Sequence, residues 1–433
     1  MPQEPSSDLS ADRQQHRAPR LLTWRRSWLR VHRWLGLSVG LVFVLIGLTG
    51  SVLVFDHAID EWLNPGLLIS NASGARANVE QVIAVAEEHF GADALSVTKP
   101  RIANGVWSVW FASGSETQPS YTAVYVDPYM ATVTGQRTWG NDLMSWMYRL
   151  HYQLAAGTTG AIAVGIIGLL VMVSIFSGVY LWWPMWRHSW RSGFTVRSGK
   201  RLSFDLHKVV GIVSALLLMV LAFTGVFMEF HSQCVEAIKS VARVTSPPEE
   251  AELKSKIIDG ATPLTANAAI FIAARICPDG VFDHLHPPLG ADGHYEVAFR
   301  QSNEVQTTFG RSQVFLDQYS GEVLAIRLSN ESTIADAFIA SQFPLHSGEA
   351  LGFAGRITVF VSGLTPAILY MTGLLVWRRK TRRNTLVLKQ SLTDADRGPT
   401  ATSCEPFFTL NVDDNNTFVS DEQSDGRELP SLK

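Results

Sequence analysis

This chain is short of charge, of cysteine and of nucleotide-binding glycine motifs. Only 17% of its 433 residues are charged against 46% hydrophobic, a balance too apolar for an ordinary soluble enzyme. Three cysteines with no CxxC spacing argue against a thiolate-held metal cluster. No GxGxxG occurs, so a nicotinamide or flavin domain would have to come from another protein. No HxxxH stands beside a carboxylate, which removes the usual helix-borne zinc arrangement. The first apolar run is long and lacks a small-residue cleavage pattern, so a cleaved signal peptide is not expected.

The apolar residues are concentrated in four runs, Leu35–Phe55, Ala161–Trp183, Val209–Met228 and Leu351–Trp377. Each reaches about 20 residues or more, enough to cross a hydrocarbon core of about 30 Å. Basic clusters stand before the first run (Arg13 to Arg33), between the second and third (Arg187 to Lys208) and after the fourth (Arg378 to Arg383). All three fall on one side of a four-span protein, which predicts cytoplasmic termini. The net charge of -3 therefore says little about partners, because the basic residues serve orientation. A lipid bilayer is the expected partner and nucleic acid is not.

Each long exterior loop reads as a small α+β module. The first has a helix at Val79–Phe90 and strands at Val106–Phe111, Tyr121–Asp127 and Ala131–Arg137; the second has a helix at Ala266–Ile276 and strands at His294–Arg300, Arg311–Asp317 and Glu322–Arg327. YVDPYMATVTGQR, ending at Arg137, aligns without a gap on FLDQYSGEVLAIR, ending at Arg327. In both, Asp127 and Asp317 are expected to cap a hairpin turn. The chain thus divides into a loosely ordered basic segment (1–30), a first span (31–57), an exterior module (58–140), an interfacial segment with the second span (141–186) and a cytoplasmic loop (187–206). A third span (207–231), a second module (232–340), an interfacial segment with the fourth span (341–380) and a disordered acidic tail (381–433) complete it. Cys234 and Cys277 both fall on the exterior, where a disulfide can form, and Cys404 lies in the tail.

The histidines repeat with the spans. WLRVHRWLG around His32 returns as SFDLHKVVG around His207, and RLHYQLAAGTTG around His151 returns as PLHSGEALGFAG around His346. Gly157, Gly160, Gly168, Gly178 and Trp182 correspond at constant offset to Gly352, Gly355, Gly363, Gly373 and Trp377. Such register indicates internal duplication. One turn deeper than His32 and His207 stand Gly36 and Gly211, and five turns on stand Gly50 and Gly225. These glycines either clear space for a flat cofactor or allow close helix packing. Matched imidazoles at both rims suggest a metal cofactor held between the halves. His32 pairs with His207 at one edge and His151 with His346 at the other. His57 and His231 also sit at the exterior edge, but a one-residue shift in spacing turns them about 100° apart. His284 and His286 form an HxH in a Pro-rich loop, at most a weak metal site.

The segment VHRWLGLSVGLVFVLIGLTGSVLVFDHAIDEWLNP, the four spans and the two α+β modules resemble the PepSY-associated transmembrane proteins of bacterial inner membranes, over roughly residues 25 to 385. The resemblance implies a four-transmembrane-helix bundle with two periplasmic PepSY-like modules, and the activity of a haem-containing ferric-siderophore reductase. Haem suits the histidines, since two imidazoles from facing helices fill both axial positions of its iron. Two haems b are expected, ligated by His32 with His207 and by His151 with His346. His57 and His231 are alternative ligands, propionate contacts or substrate contacts. Arg356 is a candidate propionate partner, or a residue that snorkels to the headgroups. Electrons would come from a cytoplasmic donor or a quinol and leave to a ferric siderophore or other periplasmic iron chelate, docked near Trp107, Trp110, Trp139 and Trp146, the last of these equally an interface anchor. Two rivals remain. A siderophore or iron transporter would need polar residues along the spans, whose middles are almost uncharged. A non-enzymatic sensor or assembly factor would use the modules to bind peptides or a partner.

Overall fold

A computed structural model describes residues 17–396 apart from 116, 117 and 303. Arg13, the other residues before Arg17, Cys404 and the acidic tail beyond Asp396 lie outside the described residues. Four helices are long and apolar enough to cross a membrane, over Trp24–Leu53, Gly157–His188, Gly199–Glu229 and Glu349–Arg383. They belong to helices α1 (Arg17–Leu53), α6 (Gly157–His188), α8 (Leu202–Glu229) and α12 (Gly352–Asp396). Both α1 and α12 continue beyond the apolar runs, into residues read from sequence as loosely ordered or disordered. Phe176, Val213 and Leu216 stand largely exposed on these helices, as side chains that meet lipid tails would.

After α1 the chain turns through two short helices, α2 (Asp56–Leu63) and α3 (Pro65–Leu68), and reaches α4 (Val79–Phe90). Asn78 and Gln81 form a capping box at the start of α4, and Gly91 ends it in the left-handed conformation. Four strands follow: β1 (Ser96–Thr98), β2 (Trp107–Ser115), β3 (Gln118–Val126) and β4 (Val133–Thr138). A rim helix, α5 (Leu143–Gln153), then leads into α6. A five-residue helix, α7 (Trp190–Phe194), precedes α8, which is followed by α9 (His231–Lys239). The second loop continues with α10 (Ala266–Ile276), strands β5 (Val281–His286), β6 (His294–Arg300), β7 (Ser312–Asp317) and β8 (Val323–Arg327), and rim helix α11 (Ile334–Ser347).

The two loops do not build separate sheets. β1 pairs antiparallel with β5, and all eight strands join in the order β4-β3-β2-β1-β5-β6-β7-β8. Joining there covers both inner edges, which would otherwise expose unpaired backbone groups. Helices α4 and α10 pack on one face, with Val82, Ala86, Ala269 and Ala273 against Val97, Val109, Leu285, Val297 and Val314, all essentially inaccessible. Trp107 belongs to this core, so it cannot form part of a docking surface. The central strands β1 and β5 were not expected from sequence. His284 and His286 accordingly lie on a strand and not in a loop, with Pro287 immediately past its end.

The hairpin turns match in detail. Asp127 Oδ1 accepts from Tyr129 N at 2.8 Å and Met130 N at 3.0 Å, and Asp317 Oδ1 from Tyr319 N and Ser320 N, both at 2.9 Å. Four residues past each Asp the backbone is left-handed, at Ala131 (φ 48°) and Gly321 (φ 71°); only the second hairpin has the residue that adopts this conformation freely. Cys234 and Cys277 are both free thiols, and Cys277 is buried.

One carboxylate fastens α11 to the segment after α9. Buried Asp336 accepts from Thr245 N (3.1 Å) and Oγ1 (2.6 Å) and from Thr333 N (2.9 Å) and Oγ1 (2.8 Å). Burial alone would raise its pKa, but these donors outweigh burial and hold it at about 2. A depressed carboxylate stabilises the fold above the ordinary value of 3.8 and loses that contribution as pH falls through the folded value. Asp336→Asn should therefore destabilise by on the order of 1–2 kcal/mol at pH 7, with the difference from wild type vanishing between about pH 4 and pH 2. Thermal unfolding of detergent-solubilised protein across that range checks this.

Candidate functional site

Four imidazoles meet in two pairs. His32 on α1 and His207 on α8 have ring centres 6.1 Å apart, inclined at 79°. His151 on α5 and His346 on α11 have ring centres 6.0 Å apart, inclined at 60°. The first pair lies at the basic end of the bundle and the second at the end that carries the sheet. In each pair one ring comes from either half of the chain.

All four rings are held alike. His32 Nδ1 lies 3.1 Å from Ser174 O and 2.9 Å from Ser177 Oγ on α6; His207 Nδ1 lies 2.9 Å from Leu369 O and 3.2 Å from Thr372 Oγ1 on α12. His151 Nδ1 lies 2.9 Å from Ile46 O and 3.2 Å from Thr49 Oγ1 on α1, and His346 Nδ1 lies 2.9 Å from Thr224 Oγ1 on α8. Each of the four hydroxyls already donates to a carbonyl of its own helix at 2.7–2.9 Å. A carbonyl can only accept, and a hydroxyl whose proton is engaged can only accept as well. Nδ1 must therefore carry the proton in every ring, which leaves the Nε2 lone pair free. That is the tautomer a metal-ligating histidine needs, with its other nitrogen anchored.

A glycine follows each of these hydroxyl residues, and the ring rests on it. A Cβ added at Gly178 or Gly373 would come within 3.2 Å of Cε1 of His32 or His207; at Gly225 it would lie 3.3 Å from Cε1 of His346, and at Gly50 only 2.7 Å from that of His151. Gly50 and Gly225 thus seat the histidines of the other pair, instead of extending a clearing below His32 and His207. Gly36 does face open space, with nothing within 4 Å of an added Cβ, and Gly211 has only an ordinary contact with Leu369. At the sheet end the rim helices turn back tightly onto the spans: Cβ atoms at Gly160 and Gly355 would collide with the carbonyls of Gln153 and Gly348. Burial pushes the His151 and His346 imidazoles below their ordinary value, so both stay neutral.

A family model described as the PepSY-associated TM region matches residues 29–380, both histidine pairs included. The chain belongs to the PepSY-associated TM region family. No curated protein matches it. In this family member two neutral imidazoles are too few to hold a bare zinc ion, which takes four ligands. Among the described residues, the group of three or more His, Cys, Asp or Glu with metal-ligand spacing lies elsewhere, in the sheet. A haem iron would take two imidazoles from the protein, here His32 with His207 or His151 with His346, and with metal–nitrogen bonds of about 2 Å their ring centres would stand roughly 6 Å apart. The donor set, the ring spacing and the open side at Gly36 fit haem.

The remaining expected residues lie apart from the pairs. His57 is exposed, 3.9 Å from the Asp56 carboxylate, and the exposed His231 ring contacts Phe227. Arg356 donates through Nε and Nη2 to Val54 O and sits over the Phe55 ring, 5.3 Å from its centre. It thereby satisfies a carbonyl at the end of α1. The hydroxyls of Thr49, Ser177, Thr224 and Thr372 were not anticipated, although each precedes one of the matched glycines in the sequence.

Seating predicts a contrast between two glycines of α1. Gly50→Ala should destabilise the purified protein by about 1–3 kcal/mol through overpacking against His151, whereas Gly36→Ala should change stability by no more than about 1 kcal/mol, and in the stabilising direction if at all. Unfolding temperatures of the two variants in one detergent compare them directly.

Proposed function

We propose that this protein is a haem-binding reductase of the bacterial inner membrane that delivers single electrons to a ferric siderophore or similar iron chelate at the sheet end. The observation that carries the reading is the pair of facing imidazole couples, 6.1 and 6.0 Å between ring centres, each ring anchored through Nδ1 by a neighbouring helix. Haem held there by His32 with His207 and by His151 with His346 would supply reversible one-electron exchange. The chain's own part is to fix four imidazoles in the tautomer that leaves Nε2 unprotonated and to keep two electron sites near opposite faces of the bundle. Ferric iron binds hard oxygen chelators far more tightly than ferrous iron does, so one electron loosens it.

The basic clusters beside α1, α6, α8 and α12 favour a cytoplasmic position for that end and a periplasmic one for the sheet. A cytoplasmic donor or a quinol would then supply electrons at His32 and His207. Internal duplication accounts for the repeated Ser/Thr-Gly seats and for two matching sets of strands in PepSY-like modules, and it makes each site a joint product of both copies.

The visible spectrum tests the reading. Haem-replete protein should show a sharp Soret band that shifts on reduction, with two haems per chain. His32→Ala or His207→Ala should remove one haem and leave the other; His151→Ala or His346→Ala should remove the complementary one. Colourless protein, or two haems retained in all four variants, would overturn it and leave the sensor or transporter readings.

A further inference from the structure

We propose that His284, His286 and Glu296 form a separate site for a divalent first-row transition-metal ion on the open face of the sheet. The site does not depend on haem in the bundle. His284 and His286 stand two residues apart on β5, and His286 is paired in register with Glu296 on β6. Ligand atoms of the three residues lie within 4.8 Å of one another, and all three side chains are half-buried. The set is therefore unlike a solvated cluster of surface acids. Two imidazoles and one carboxylate on one side of an ion are a recurring open arrangement for iron(II) and zinc.

The surroundings preset these groups. His284 Nδ1 lies 3.0 Å from Asp283 Oδ2, and His286 Nδ1 lies 3.1 Å from Leu95 O on the neighbouring segment. Both contacts protonate Nδ1 and leave Nε2 to coordinate, the carboxylate–histidine–metal pattern appearing outright at Asp283. Asp283 is the extra residue of a β-bulge between Phe282 and His284, and Gly310 N fixes the same carboxylate oxygen at 3.0 Å. Bulges re-aim side chains in this way. Gln313 Nε2 donates to Glu296 Oε1 at 2.5 Å and orients that carboxylate.

What lies in front of the histidines is a cleft of about 440 Å³, walled by Trp110, Tyr121, Trp139 and Phe309. An ion held by three ligands from the sheet keeps coordination positions open toward it. Trp139 also packs against Tyr148, 5.8 Å between ring centres, and His151 lies one turn further along the same rim helix. The cleft is therefore in contact with the helix that carries the sheet-end imidazole.

Cobalt(II) titration of chelator-treated, tag-free full-length protein tests the site, read by its visible absorption and by calorimetry. One equivalent should bind at micromolar or tighter affinity. Glu296→Gln, which keeps the side chain's shape, and His286→Ala should each weaken that binding at least tenfold, while His89→Ala, on exposed α4 surface, leaves it unchanged. Absence of a stoichiometric cobalt signal in the wild type overturns the proposal, as does wild-type affinity in both site variants with unfolding temperature unchanged.

Discussion

An imidazole half-buried among apolar helices must place its N–H, and the whole bundle is arranged around four such placements. A carbonyl in mid-helix has a lone pair to spare beside its own ladder bond, but side chains normally keep a neighbouring ring away from it. Glycine at positions 50, 178, 225 and 373 removes that barrier, and the hydroxyl one residue earlier adds a second acceptor. Without the hydrogen bond each ring would cost on the order of 1–3 kcal/mol as an unsatisfied polar group. With it, the ring is fixed in tautomer and direction, and its reactive nitrogen is the one left over. Structure and chemistry thus rest on the same contact.

Much of this was legible in the sequence, for reasons that differ between elements. The spans are long uninterrupted apolar runs, and α4 and α10 carry a strong helical period between clear caps. The histidine pairs could be read because the chain contains its own comparison: His32 and His207, or His151 and His346, recur with constant offsets to the same glycines. The Ser/Thr-Gly seats were in plain view too, in the Leu-Thr-Gly-Ser that ends the first span. Their meaning depends on a ring arriving from another helix, which no single segment displays. Five turns of helix separate His32 from Gly50, so a shared cofactor face was a reasonable local reading; tertiary packing gave the glycine to His151 instead.

Other features were illegible for definite physical causes. β1 has three residues, too few for alternation to register, and β5 carries an Asp at a bulge and runs straight into Pro287–Pro288, both of which read as loop. Their pairing is between segments almost two hundred residues apart, so two modules were expected where one sheet formed. Arg356 was expected to meet a propionate or to snorkel to the headgroups; the contact that sequence did not suggest is Val54 O, a carbonyl at the end of α1. At the basic end, Asp205 is wholly inaccessible yet tied to Arg197 by three hydrogen bonds, two from the guanidinium (2.9 and 3.0 Å) and one from the backbone N (3.1 Å), and close to Lys208, whose ammonium also donates to Ser192 O and Thr195 O. Charges counted only as orientation signals therefore also lock the loop beneath α8.

The shared sheet has a consequence for the bundle. Each imidazole pair takes one ring from each half, so its spacing depends on how the halves are held together as well as on local seats. Helix contacts in lipid have little hydrophobic drive behind them. The sheet is outside the spans, where burial of Val97, Leu285, Val297 and their neighbours is driven by water, and β1–β5 pairing crosses between the halves within that core. Arg137 on β4 adds bonds of 2.9 and 2.8 Å to the Asp60 carboxylate on α2, and Thr307 N donates to Glu349 at the start of the fourth span at 2.8 Å. Each flank of the sheet is thereby fastened to the end of a different span. A water-driven core is in this way used to hold register among helices that lipid alone would leave weakly associated, and the sheet-end histidines lie closest to the clamp.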